Sequence, residues 1–257
     1  MTSQYRHPEE NDVLRNLGRV FTGLGDKLEK DVREHLKNVY STLTLCLVTA
    51  VVGVITNHLL PSPQRDGREI HRPACSLHLL FSLGMIGLTF ALISTPHGRD
   101  TEKKRLSYLF ALSFITGITT GPLVSYVGAS DPSIVFNAYL ITMIVFGSFS
   151  LSALYADSTK FLHLGGILSS ALLALFITSF FSRYAFVHSI ILWGGLLINA
   201  AFVLYDTQLI VEKRRRGNTD YVLHTMELFI DFVNIFRYVL ILLKERSDNE
   251  NRRRRRD

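Results

Sequence analysis

Long apolar runs follow one another along most of the chain, separated by short polar breaks. They span about 39–60, 77–95, 106–126, 134–156, 162–181, 186–210 and 222–243. Each approaches the roughly 20 residues that a helix needs to cross the hydrocarbon core of a bilayer. Irregular backbone cannot face lipid, so helices are the expected form of all seven. Turn signals end the first two runs, Pro61-Ser62-Pro63 and Thr95-Pro96-His97-Gly98. Small residues such as Gly117, Gly121, Gly165, Gly166, Gly194 and Gly195 recur inside the runs. They let helices approach closely where lipid removes the hydrophobic drive to associate. The pattern predicts an all-α, polytopic membrane bundle in three parts: a polar segment 1–38, a membrane domain 39–243 and a basic tail 244–257.

Upstream of the first run, Val13, Leu17, Val20, Phe21, Leu24, Leu28, Val32 and Leu36 recur at three- and four-residue steps. That is the period of an amphipathic helix over 13–38, on the membrane surface or packed on the loops of the bundle. The segment has no short apolar core of the kind a cleavable signal peptide carries, so the first run is expected to serve as the insertion signal.

Composition changes this picture less than charge does. The 257 residues are 47% hydrophobic and 19% charged, with a formal net charge of +6, and the charge gathers at the ends and in the loops. On a seven-crossing layout, sixteen Lys and Arg fall on the side of the N-terminus and four in the loops opposite. The excess of positive charge places the N-terminus in the cytosol. Lys244, Arg246 and Arg252, Arg253, Arg254, Arg255 and Arg256 add seven more in the tail. A full seventh crossing sends this tail to the other side, whereas six crossings with a re-entrant last helix keep it with the N-terminus. Beside a membrane helix, a polybasic segment fits anionic lipid head groups better than nucleic acid. Cys46 and Cys75 are too few for a disulfide framework.

The seventh run differs from the others in carrying Glu227, Asp231 and Arg237. Each charge near mid-membrane costs about 2.5–3.5 kcal/mol on an insertion scale, so this helix belongs inside the bundle rather than against lipid. Glu227, Asp231 and Asn234 lie four and three residues apart and share a face. Asp206, late in the sixth run, sits across a short basic turn at a depth that differs from Asp231 by only about 6 Å on helical rise. Two carboxyls that close in a poorly solvated site share a proton and titrate as a pair. Such a pair can act as a proton-controlled latch or offer hard oxygen ligands to calcium. The competing view has Asp206 solvated at the interface and Arg237 as a structural partner for Asp231. His78, His163 and His188 stand at the starts of apolar runs, where a histidine is tolerated without a role, and no clustered His/Cys metal pattern exists. Tyr205-Asp206 and Gly23-Leu24-Gly25-Asp26 imitate the two motifs of intramembrane aspartyl proteases. The second lies in the polar N-terminal segment and in the wrong order, so no enzyme is expected.

Several stretches together resemble the Bax inhibitor-1 family of transmembrane Bax-inhibitor-motif proteins, most closely its endoplasmic-reticulum members. They are His35-Leu36-Lys37-Asn38-Val39-Tyr40, Thr95-Pro96-His97, Glu102-Lys103-Lys104-Arg105-Leu106, Phe149 to Ala156 and Leu164 to Leu168. The most specific are Tyr205 to Lys213 and Leu228 to Arg237. The resemblance covers nearly the whole chain from about His35. It implies a seven-helix fold with a central last helix and a protein of the endoplasmic-reticulum membrane that suppresses cell death and lowers stored calcium. It further implies a pH-sensitive calcium leak, with calcium as a permeant ion and no bound cofactor, and Asp206 and Asp231 on the gating aspartate pair. The arginine that bacterial relatives place on the second helix has no counterpart in the second run, where His78 is a distant substitute. The basic tail, Arg252 to Arg256, falls on a segment implicated in pH response. A non-conducting adaptor that binds Bcl-2-type cell-death regulators or other calcium channels is the alternative of a different class.

Overall fold

The computed structural model describes residues 28–59, 72–156, 160–181 and 185–254. Seven helices make up the described residues: α1 Lys30–Leu59, α2 Arg72–Ser94, α3 Glu102–Gly128, α4 Pro132–Tyr155, α5 Leu164–Ser179, α6 Ala185–Arg215 and α7 Tyr221–Arg254. The amphipathic helix expected over 13–38 lies outside the described residues as far as residue 27. Its remainder is not a separate element. From Lys30 it is the opening of α1, with Val32, His35, Leu36 and Val39 turned inward and Arg33, Glu34, Lys37 and Asn38 outward.

Helices α1, α3, α4 and α6 are each long and apolar enough to cross a membrane. Leu79–Ser94 of α2 and Leu164–Ser179 of α5 are shorter apolar helices. The 16 residues of α5 extend about 24 Å on helical rise, less than the run of 162–181 promised. The side chains that cover these helices would be a liability in water. Leu79, Leu80, Leu83, Ile86 and Phe90 of α2 and Leu173, Phe176, Ile177 and Phe180 of α5 are all exposed. Exposed apolar surface of that extent marks contact with lipid.

Helix α7 is the exception, and its charge explains why. It packs against α1, α3, α4 and α6 at once. Buried positions cover most of the circumference of its first five turns, from Val222, His224 and Thr225 through Leu228, Phe229, Asp231 and Phe232 to Ile235, Val239 and Leu240. They leave a half-buried strip of Glu227, Asn234 and Arg237, with Ile230 exposed. The bundle thus wraps its most polar helix, as the insertion cost of Glu227, Asp231 and Arg237 requires.

The helices run alternately up and down, and charged and polar contacts mark the two ends. At one end Arg214 and Arg215 of α6 pair with Asp31 and Glu29 beside the start of α1, at 3.6 and 3.7 Å. At the other, Glu245 of α7 meets His188 near the start of α6 at 2.8 Å, and Lys244 lies over the Tyr126 ring at the end of α3. These are called the N-terminal and C-terminal ends below. Helix α7 passes from one to the other unbroken over 34 residues. The layout is therefore seven helices with a full-length last one, and the re-entrant alternative does not describe it.

The closest helix contact is between α1 and α3. A Cβ added to Gly117 would lie 2.0 Å from the Ala50 carbonyl oxygen, and one added to Gly53 would lie 2.3 Å from that of Phe114. Only hydrogen fits at either position, the small-residue logic expected of helices in lipid.

Candidate functional site

The site is built by the turn between α6 and α7. Gly217 has φ +90°, a left-handed conformation that glycine adopts without strain. The Asn218 N–H donates to the Lys213 carbonyl at 3.0 Å and the Gly217 N–H to that of Arg214 at 2.9 Å. This pair of bonds is a Schellman ending, which satisfies the last carbonyls of α6 and stops it sharply. Asp220 then starts α7 by accepting the Leu223 N–H at 3.1 Å as an N-cap.

This tight reversal sets the register of the two helices. Asp206 lies nine residues before the end of α6 and Asp231 ten after the start of α7. Their depths therefore differ by about 1.5 Å on helical rise, a closer match than the sequence estimate, because both helices extend into the turn. The matched register sets the two carboxyls on facing sides of α6 and α7, close enough to interact. A hydrogen bond between two carboxyl groups needs a proton on one of them. Asp231 is buried and its Oδ2 has no hydrogen-bond partner among the described residues, whereas Asp206 is half-buried.

Glu227 sits one turn nearer the N-terminal end. Its Oε1 pairs with Lys213 Nζ at 3.3 Å, and its Oε2 is buried without a hydrogen-bond partner. Asn234 is half-buried and makes no side-chain hydrogen bond among the described residues. Arg237 is not the structural partner of Asp231. Its guanidinium donates to the Thr120 hydroxyl of α3 through Nε at 3.1 Å and Nη2 at 2.6 Å, and it makes no ion pair among the described residues. Six residues turn it about 120° away from Asp231 around the helix, so the groups that act on that carboxyl among the described residues are Asp206 and Glu227.

The remaining sequence candidates are dispersed. The side chain of His78 lies outside the described residues, His163 is exposed at the start of α5 with no capping bond, and His188 Nε2 meets Glu245 Oε1 in a hydrogen bond. Arg252, Arg253 and Arg254 extend α7 as an exposed basic end, and Arg255 and Arg256 lie outside the described residues. Among the described residues no three His, Cys, Asp or Glu side chains group as a metal site.

Sequence reasoning missed a polar clasp at the N-terminal end. Arg105 of α3, 2% exposed, donates to Asp220 Oδ2 at 2.6 Å. His97 faces the same guanidinium at 3.3 Å, and the Tyr221 hydroxyl donates to Glu102 at 2.5 Å. Burial alone would raise the Asp220 carboxyl. The bonds from Arg105 and the Leu223 N–H and the charges of Arg105 and His97 outweigh it and hold the group below the usual carboxylate range. Beside the clasp, His35 Nε2 of α1 meets His224 Nδ1 of α7 at 2.9 Å, both rings buried. These partners are 115 and 189 residues apart, so no local spacing signals them.

With this geometry in place, relatives are informative. The family sequence model described as "Inhibitor of apoptosis-promoting Bax1" matches residues 32–248, from the first buried residue of α1 to the last turns of α7. The chain belongs to the Bax inhibitor-1 family. It is 40% identical over 222 residues to a probable Bax inhibitor 1 of Paralichthys olivaceus, which covers 84% of this chain and 88% of the relative. Bax inhibitor 1 of Rattus norvegicus is 39% identical over 82% of this chain and 85% of its own. That of Bos taurus is 36% identical over 86% and 90%. Together with the apolar helices, this membership makes the chain a multi-pass membrane protein. The resemblance expected from Tyr205 to Lys213 and Leu228 to Arg237 thus extends over nearly the whole of the bundle.

Proposed function

We propose that this protein restrains apoptotic cell death from the endoplasmic-reticulum membrane, with its N-terminus in the cytosol, by acting as a pH-sensitive calcium leak gated by Asp206 and Asp231. The observation that carries the reading is the contact between two carboxyls at matched depth in the core of the bundle. While one proton is shared, the pair ties α6 to α7. When both groups ionise they repel each other and present hard oxygens to a passing divalent cation, which explains how protons and calcium can compete at one place. Glu227, one turn away, adds a third carboxyl towards the N-terminal end. Calcium is transient cargo here, and no cofactor is required. The basic end of α7 is assigned to anionic lipid head groups.

Restraint of cell death enters through the relatives, whose names describe inhibitors of Bax. The conducting role is tested by calcium efflux from liposomes that contain only lipid and the purified chain, over a range of pH. Flux under these conditions supports the leak. Flux that needs an added Bcl-2-type regulator or another channel would make the protein an adaptor.

A further inference from the structure

Six buried side-chain atoms on α1, α4, α6 and α7 have no hydrogen-bond partner among the described residues: Tyr40 Oη, Ser150 Oγ, Thr207 Oγ1, His224 Nε2, Glu227 Oε2 and Asp231 Oδ2. Buried polar atoms are nearly always satisfied, because leaving one unpaired costs on the order of 1–3 kcal/mol. These six are not scattered. The hydroxyls of Tyr40, Ser150 and Thr207 converge from three helices, with Tyr40 close enough to interact with both others while no well-formed hydrogen bond closes among them. Thr207 follows Asp206, so this trio lies at the depth of the carboxyl pair. On α7, His224, Glu227 and Asp231 step down one face at intervals of three and four residues, about 4.5 and 6 Å on helical rise. Buried polar atoms from several helices that are drawn together without completing their hydrogen bonds are the setting in which proteins hold ordered internal water.

The polar column is one-sided. The unpartnered atoms begin at the N-terminal end, where His35 bonds His224 and Lys213 meets Glu227, and none lies beyond Asp231 and Thr207 among the described residues. Past them α7 carries the half-buried Asn234 amide and Arg237, which is bonded to Thr120. On the same side α7 buries Phe232, Ile235, Val239 and Leu240, and α6 buries Ala200 and Val203. The one polar side chain buried further along α6, Asn199, is bonded to the Gly195 carbonyl at 2.7 Å. We infer that α1, α4, α6 and α7 enclose a chain of water from the N-terminal end to the aspartate pair, and that this chain, entering past Glu227, is the route by which protons reach the pair.

Each water hands one proton on and takes one from its neighbour, so no net chemistry occurs along the path. The charged or titratable groups that face the pair are Glu227 of α7 and Lys213 of α6. Asp220 in the turn faces Glu227. From α1 the nearest are His35 and Tyr40, and α4 contributes only the Ser150 hydroxyl. Glu227 is the one among them with a free carboxyl oxygen on the path, which makes it the relay.

The proposal rests on the aspartate pair of the preceding reading but does not need conduction. Its test follows the carbonyl stretch of the protonated carboxyl by infrared spectroscopy, on the full chain in lipid nanodiscs, after a switch from H2O to D2O. Asp231→Asn identifies the band by removing it. In the wild type the band is expected to shift within the mixing time. Glu227→Gln, Tyr40→Phe and Thr207→Val are each expected to slow the shift at least tenfold, while Thr207→Ser, which keeps the hydroxyl, restores it and controls for folding. Asn199→Leu, on the far side of the pair, is expected to leave the rate unchanged. A band that does not exchange in the wild type, or that exchanges equally fast in Glu227→Gln, overturns the inference. So does slowing by Asn199→Leu equal to that by Glu227→Gln, since protons would then enter from the other end. Absence of calcium flux alongside the expected exchange pattern would sink the leak and leave the water path standing.

Discussion

Replacing either aspartate with asparagine keeps the size of the side chain and its capacity to hydrogen-bond, but removes one titrating group. Two full charges about 4 Å apart repel by about 4 kcal/mol at an effective dielectric of 20. Against an interface of several buried contacts, that is the term that changes with pH. Asp206 is half-buried. Hydration takes a share of the repulsion, and the expected bias is on the order of ten- to hundredfold between the tied and separated arrangements. Asp206→Asn and Asp231→Asn each abolish it, because an amide beside a carboxylate feels no second charge. In calcium efflux from dye-loaded proteoliposomes at pH 5 to 8, wild-type rates are expected to span that ratio, and either variant to vary less than about twofold. The double variant should be as flat as the singles, since the pair acts as one unit and the effects cannot add. If either single variant keeps the wild-type pH profile, the pair is not the sensor.

The clasp at the N-terminal end yields a stability prediction. Arg105→Met leaves Asp220 buried and ionised without its cation, which costs about 3–5 kcal/mol and should appear as a marked fall in the thermal midpoint in detergent. Because the folded state holds the Asp220 carboxyl below its ordinary value, its contribution is present above pH about 4. It is lost as pH falls through the folded value, so a melting series from pH 7 to 3 should lose an acid-side step in Asp220→Asn. Gly117→Val should separate α1 from α3 and destabilise by about 1–3 kcal/mol or more, while Gly147→Ala, whose added Cβ meets nothing within 4 Å, should melt like the wild type. Cysteines introduced at the exposed positions Lys37 and Asn251 should react with an impermeant label from opposite faces of a sealed vesicle. Labelling from one face would contradict an unbroken α7.

The residues themselves explain which features were legible beforehand. Helix number and approximate bounds follow from apolar runs, because lipid leaves the backbone no alternative to helix. The central place of α7 was readable for the opposite reason, since its charges make lipid contact costly. Asp206 and Asp231 were paired from a short turn and a fixed rise per residue, and they came out nearer in depth than estimated because Gly217 allows so abrupt a reversal. Arg237 defeated the same reasoning. Its partner, Thr120, is a hydroxyl 117 residues away on a helix whose rotation the sequence does not fix. The clasp of Arg105 with Asp220 and the bond of His35 with His224 were hidden likewise, as long-range contacts between segments that read as loop and amphipathic lead.

The lack of an arginine in the second apolar run, 77–95, acquires a different meaning in the structure, where α2 opens at Arg72, whose side chain lies outside the described residues. From Leu79 to Ser94, α2 holds no charged residue, and Arg237 spends its hydrogen bonds on Thr120. Among the described residues the one cation facing the pair is Lys213, two turns along α6 from Asp206 and already bonded to Glu227. A guanidinium beside Asp206 and Asp231 would let both remain ionised while still tied together, and a proton would then have little to add. Without it, the tie between α6 and α7 depends on the proton itself, and the state of the pair follows the proton supply at the end where Glu227 and Lys213 sit. Placing the sensor at the blind end of a polar column is consistent with that dependence. Were the column open towards Phe232 and Val239 as well, protons from the two compartments would be averaged, and the pair could not report on either one.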